Sequence, residues 1–154
     1  MATGTHHVGK AIGVATLIVG VLDLAYAMAV YAPHRPWRIP QHIASGLIGA
    51  KAFEMGAASV VLGTVLHFVI ALGAAVVYYL ASRKIRVLVQ HPVIAGMIYG
   101  ACVYGFMHLV VIPLSAVRPG HPRLVYQVAE FVEHWFVVGL PIALCVRRWA
   151  GDQE

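Results

Sequence analysis

The stretch AASVVLGTVLHFVIALGAAVVYYLAS at residues 57–82 decides the fold class, because it contains no Lys, Arg, Asp or Glu. A helix needs about 20 predominantly apolar residues to cross the hydrocarbon core of a bilayer. The stretch ends at Arg83-Lys84-Ile85-Arg86, and basic residues of this kind commonly flank a membrane span. We therefore expect a transmembrane helix over residues 57–82.

Three further apolar runs have comparable lengths, at about residues 8–31, 92–117 and 125–146. The chain of 154 residues is 60% hydrophobic and only 11% charged, with a mean hydropathy of +0.80. This composition is typical of membrane proteins, and the length suits one domain. The sequence predicts a single all-α integral membrane domain over residues 1–154, in which four transmembrane helices form a bundle.

A shorter amphipathic segment, at about residues 39–56, lies between the first two runs. Its apolar residues Ile43, Leu47 and Ile48 recur at helical spacing among polar side chains. Trp37 and Arg38 precede it and suit the headgroup layer. We expect an interfacial amphipathic helix. The alternative is that this segment extends the second span, with a bend at Gly56.

The net charge of +5 does not indicate nucleic-acid binding, because the basic residues flank the apolar runs and do not form an aromatic-interleaved patch. The expected partner is the lipid bilayer. Lys and Arg near the helix ends slightly favour a cytoplasmic location for both termini. The 15 glycines, including Gly96-x-x-x-Gly100, allow helices to approach closely, which is compatible with a homo-oligomer or a larger membrane complex.

One ionisable side chain lies within each apolar run and at a similar predicted depth: Asp23, His67, His108 and His134. Asp23 lies eight residues before the end of the first run, and His67 lies ten after the start of the second. His108 and His134 each lie nine residues from the outer end of their own run. At about 1.5 Å per residue, all four fall roughly 12–15 Å from one face. Unpaired polar groups at this depth are costly, so we expect a functional polar layer.

Other polar side chains extend from this layer towards the same face. Glu130 and His134 are four residues apart and share a helix face, and Glu133 lies beside them. Tyr104 lies one turn before His108 and can bond it. Three histidines in the outer loops complete the predicted approach or proton path: His34, His42 and His121.

Glycines accompany three of the four layer residues at helical spacing: Gly20, Gly63 and Gly105. They leave room beside the layer for an ion, water, a flat macrocycle or a neighbouring helix. Histidine with carboxylate suits a transition metal such as Zn, Cu or Fe, and two histidines on different helices suit a b-type haem. The same residues can instead relay protons without a cofactor, as in a proton-linked channel or transporter.

A third hypothesis is purely structural, with the histidines acting as hydrogen-bonded struts in an accessory membrane subunit. We take metal or haem binding as the leading prediction, with His67, His108, His134 and Asp23 as ligands. No hydrolase nucleophile motif, phosphate-binding loop or paired-cysteine motif is present, so the sequence does not favour an enzyme.

Short apolar motifs give the chain a resemblance to a known group: IASGLIG at 43–49, LHF at 66–68, VIPLS at 111–115 and GLPIAL at 139–144. Over about residues 10–148 the chain resembles small four-helix inner-membrane proteins of bacteria, of the YagU type. This resemblance implies a location in the bacterial inner membrane. It implies no site residue, cofactor or activity.

Overall fold

The computed structural model describes residues 3–117 and 123–150. Within these ranges it is helical, apart from the connecting turns. Four helices are long and apolar enough to cross a membrane, as the composition predicted: His7–Tyr31, Ala57–Ser82, Pro92–Leu114 and Leu124–Trp149. We call these the first to fourth spans.

The first two spans are continuous helices, and the connection between them is helical too. In chain order the segments are α1 (Thr3–Tyr31), α2 (Arg38–Ile48), a 3-10 helix (Gly49–Phe53), α3 (Ala57–Ser82) and the short α4 (Val87–Gln90).

The third and fourth spans each contain a π-helical segment. The third consists of α5 (Pro92–Phe106), a π segment (Met107–Val111) and α6 (Ile112–Leu114). The fourth consists of α7 (Leu124–Glu133), a π segment (His134–Gly139) and α8 (Leu140–Ala150). Pro113 and Pro141 have no amide hydrogen for the carbonyls of Leu109 and Val137, which lie inside these segments. The wider π turns accommodate this loss.

The bundle core lies in the half of the spans that contains Thr3 and Ala150, the ends of the described chain. We call this the inner half and the opposite half the outer half. α1 packs against α3 and α8, while α5 packs along the fourth span. Small side chains let the helices approach: Ala11, Ala15 and Ala75 are fully buried around Tyr78. The Tyr78 hydroxyl donates to the carbonyl of Leu88 at 2.9 Å, so its burial leaves no unmet donor.

Backbone contact between the third and fourth spans depends on glycine. A Cβ atom at Gly100 would meet the backbone of His134, and one at Gly139 would meet the backbone of Gly96 and Gly100. Because no other residue fits at these crossings, they fix the position of the second π segment against α5.

α2 packs across the outer ends of the second and third spans. A Cβ atom at Gly63 would collide with the carbonyl of Pro40, so α2 lies directly on α3. Gln41 is buried and donates to the Gly56 carbonyl at 3.3 Å. Near the C-terminal end of α2, the carbonyl of Gly46 accepts a hydrogen bond from the amide of Ala116, which follows the third span, at 2.8 Å.

Two boundaries differ from the sequence-based expectation. In the predicted helix at residues 39–56, the α-helix ends at Ile48, where Gly49 adopts a positive φ of 67° and begins a 3-10 helix that extends to Phe53. The third span ends at Leu114 instead of residue 117, since Ser115 is extended and its hydroxyl donates to the Ile112 carbonyl at 2.8 Å.

Candidate polar site within the bundle

The polar side chains predicted from the sequence form two groups. Asp23 on α1, His67 on α3 and His134 at the start of the second π segment lie in a buried group that also contains Glu133. We call these four residues the buried cluster. His108 in the first π segment lies beside Glu130 of α7, and we call them the rim pair.

His67 links the first two spans within the buried cluster. Its Nε2 lies 3.1 Å from the carbonyl oxygen of Gly20 and 3.8 Å from Oδ2 of Asp23. The shorter distance is a hydrogen bond, in which Nε2–H donates to the carbonyl. The imidazole therefore holds α3 against α1 and presents its charge, when protonated, to Asp23.

Glu133 and His134 form the most buried contact of the cluster, with side chains 2% and 10% exposed. Nδ1 of His134 lies 2.9 Å from Oε2 of Glu133, and the same nitrogen lies 2.9 Å from the carbonyl oxygen of Glu130. The Glu133 side chain is only 2% exposed, and its other oxygen, Oε1, has no hydrogen-bond partner. A buried carboxyl oxygen without a partner is unusual and costly, because its desolvation is not offset.

Asp23 joins the two halves of the buried cluster. Its carboxyl group interacts electrostatically with Glu133, His67 and His134, and it lies within hydrogen-bonding reach of the Glu133 carboxyl. Two carboxyl groups this close are stabilised by a shared proton or by a cation between them. In the cluster, the adjacent carboxyl groups of Asp23 and Glu133 therefore lie between two imidazoles, in the order His67, Asp23, Glu133 and His134.

The rim pair is more exposed than the buried cluster. Nε2 of His108 lies 3.8 Å from Oε2 of Glu130, and the two side chains are 32% and 34% exposed. His108 is oriented by its own helix, because its Nδ1 lies 3.1 Å from the Tyr104 carbonyl. The imidazole also stacks on the Tyr104 ring, with the ring centres 4.1 Å apart.

Tyr104 lies between the rim pair and the buried cluster. Its ring makes edge contacts with His134 at 5.6 Å and with Phe131 at 5.2 Å, in addition to the stacking on His108. Tyr31, which the sequence interpretation did not include, interacts electrostatically with both Glu130 and Glu133. Through its two imidazole contacts, the Tyr104 ring connects the rim pair to the buried cluster.

The outer-loop histidines of the predicted approach lie apart from this arrangement or outside the described residues. His34 is exposed in the turn after α1. His42 is exposed on α2, with its ring 6.2 Å from that of Phe53. His121 lies outside the described ranges.

An apolar layer closes the buried cluster towards the inner half of the bundle. Val19, Ala71 and Val138 lie one helical turn inward of Asp23, His67 and His134, and their exposed fractions are 5% or less. Phe68 packs against Gly20 beside them. The chain of titratable side chains therefore connects with the outer half of the bundle and meets an apolar barrier on the inner side.

The described ranges contain no group of three or more His, Cys, Asp or Glu side chains placed to hold a metal ion. The imidazoles of His67, His108 and His134 each bond a backbone carbonyl, which fixes their orientation. That orientation serves a strut, a proton relay or a metal ligand equally. Metal or haem binding by His67, His108, His134 and Asp23 stays a prediction.

No protein-family model matches this chain, and no curated protein or solved structure shows significant similarity to it. The resemblance to proteins of the YagU type therefore stays a prediction as well. The functional argument depends on the site alone.

The largest difference between expectation and structure concerns Glu133, which we expected to line the outer approach. It is instead among the most buried members of the site, at 2% side-chain exposure, whereas Glu130 is 34% exposed. Helical spacing places both carboxyl groups away from the apolar face of Val125, Val128 and Val132. Nothing in the sequence predicts which of these two glutamates is the more buried, because their burial depends on which helices pack beside them.

Proposed function

We propose that this protein carries protons across a membrane by taking them up and releasing them at the buried cluster, without a resident cofactor. The observation that carries the proposal is Glu133. It is buried, bonded to His134 and within hydrogen-bonding reach of the Asp23 carboxyl. An intramembrane carboxyl group that is costly to bury is a functional candidate by default.

The spacing of the cluster supports proton transfer between its members. His134 and Glu133 are 2.9 Å apart and can exchange a proton directly. The 3.8 Å separation between His67 and Asp23 needs a small side-chain movement or one bridging water. Histidine suits this role because its ordinary pKa lies close to physiological pH.

The rim pair and Tyr104 provide the outer access in this proposal. The apolar layer of Val19, Ala71 and Val138 argues against a continuously open channel, because a proton in that layer has no titratable group to occupy. We therefore favour a carrier in which the helices rearrange to expose the cluster to each side in turn. The π segments of the third and fourth spans are suitable points for such movement, since π turns are common at functional sites.

The membrane in this proposal is the bacterial inner membrane, with both termini in the cytoplasm. α2 then lies in the outer interfacial layer, where Trp37 and Arg38 contact lipid headgroups. Its polar contacts with α3 through Gln41 keep it close to the outer access route.

Reconstitution into proteoliposomes containing a pH-sensitive dye tests the proposal. An imposed pH gradient is expected to dissipate faster with the wild-type protein than in empty liposomes, and Glu133→Gln should remove most of this difference. Glu54→Gln, at an exposed position outside the spans, is the matched control and should retain it. The proposal would be refuted if liposomes with the wild-type protein and empty liposomes showed equal proton flux under every imposed pH gradient. Full proton flux in Glu133→Gln would refute it as well.

Metal or haem binding is the competing proposal, and the orientation of His134 by a backbone carbonyl is compatible with it. Metal analysis and an absorption spectrum of gently purified protein separate the two. A stoichiometric metal or a haem band that disappears in His134→Ala would favour the cofactor hypothesis over the cofactor-free relay.

A further inference from the structure

The rim pair lies on the side of the bundle, within the membrane-spanning part of the third and fourth spans. About one third of each side chain is exposed. Neighbouring residues of the third span are strongly apolar and still more exposed, with Leu109 at 79% and Phe106 at 57%. A carboxyl group and an imidazole bordering hydrocarbon in this way are costly, and such groups normally face protein or a water-filled cavity.

The third span is the peripheral helix of the bundle. Within an apolar stretch of 18 residues, only 6% of the third span is buried, against 39% of the fourth span. Its main neighbour is the fourth span, and the π segment that carries His108 packs chiefly on its own helix. One face of the third span is therefore open to an additional helix.

Gly105 gives this open face a place where a helix backbone can approach. A Cβ atom at Gly105 would have no neighbour within 4 Å, unlike one at Gly100. Cys102 is exposed on the same helix. At 3.6 residues per turn, Gly105 lies about 60° around the helix axis from Cys102 on one side and from His108 on the other. A contact centred on Gly105 therefore covers the rim pair.

We propose that a second copy of this chain covers the rim pair by packing its third span against the first copy's third span across Gly105. The surface is self-complementary, because it carries one acidic and one basic group. In a two-fold dimer, Glu130 of each copy can meet His108 of the other, which removes both groups from lipid. The 3.8 Å separation within one chain is too long for a hydrogen bond and leaves each group able to accept such a partner.

In the dimer, the second copy replaces lipid hydrocarbon on the open face of the third span. The outer access route to the buried cluster is then lined by protein on that side as well. It does not depend on proton transport, because it follows from the exposure and charge of the rim pair alone. Loss of proton flux and loss of the dimer are separate measurements, so either proposal can fail without the other.

Native mass measurement in lipid nanodiscs, at increasing protein density in the source membrane, tests the dimer. The wild-type chain and Gly73→Leu are expected to be dimeric, while Gly105→Leu is expected to be monomeric. Gly73 is a matched control, since a Cβ atom there also has no neighbour within 4 Å but lies on the second span. A monomeric wild-type chain, or an unchanged dimer in Gly105→Leu, would overturn the proposal.

Cross-linking through the natural cysteine supplies a readout that does not depend on the fold of Gly105→Leu. In a Cys145→Ala background, a short bis-maleimide is expected to link two copies through Cys102. The control carries Cys102→Ala and Leu72→Cys, which moves the thiol to another exposed span position. Equal cross-linking of the two proteins would indicate random collision and would count against the interface.

Discussion

Nδ1 of His134 lies 2.9 Å from Oε2 of Glu133, so two consecutive residues of the fourth span form a buried imidazole–carboxyl contact. The contact forms where α7 ends and the π segment begins. Adjacent residues on a regular helix point about 100° apart. Both residues keep right-handed helical backbone angles, with φ of −55° at Glu133 and −56° at His134, so the contact forms without a break in the helix.

We expect Glu133→Ala to lower the free energy of unfolding by about 1–3 kcal/mol, because it leaves the buried His134 ring without its carboxyl partner. Thermal or denaturant unfolding in detergent micelles measures the change. Glu54→Ala, at an exposed position, should unfold like the wild type. Equal stability of all three proteins would show that the buried contact contributes nothing.

His67→Ala is expected to lower the free energy of unfolding by about 1 kcal/mol, since the bond between α3 and the Gly20 carbonyl is lost. His67→Gln should recover part of this stability, because its amide can donate to the same carbonyl. Proton flux separates the hypotheses: under the relay proposal, His67→Gln restores stability but not flux. If the residue is only a strut, flux follows stability in both variants.

Gly100→Ala is expected to destabilise the bundle by about 1–3 kcal/mol, because its methyl group would collide with the backbone of His134. The collision displaces the second π segment, so proton flux should fall together with stability. Gly73→Ala adds a methyl group in open space and should be neutral or slightly stabilising. Matching unfolding temperatures for the two variants would contradict the observed helix crossing.

Removal of metal ions is expected to leave proton flux unchanged, because the proposed relay uses only side chains of the chain itself. Proteoliposomes treated with EDTA on both faces and assayed in metal-free buffer provide the measurement. A loss of flux that returns on addition of one particular metal would instead support the predicted metal site.

Much of the fold could be predicted from the sequence, because membrane spans depend on local properties. The run at residues 57–82 is predominantly apolar and contains no Lys, Arg, Asp or Glu, and the structure forms one helix over that whole range. The depth of Asp23 and His67 follows from the constant rise per residue along a helix. These two residues meet in one cluster, which a common depth allows but does not ensure.

The separation of the site into a buried cluster and a rim pair required the tertiary structure. Depth along a helix does not specify its rotation or its neighbours, so the sequence could not place His108 beside Glu130 while His134 contacts Glu133. Rotation was decided by backbone contact at Gly100 and by the π segments, which change the angular register of later residues. The sequence by itself determined which residues lie at a similar level along the four apolar helices, and helix packing decided which of them meet.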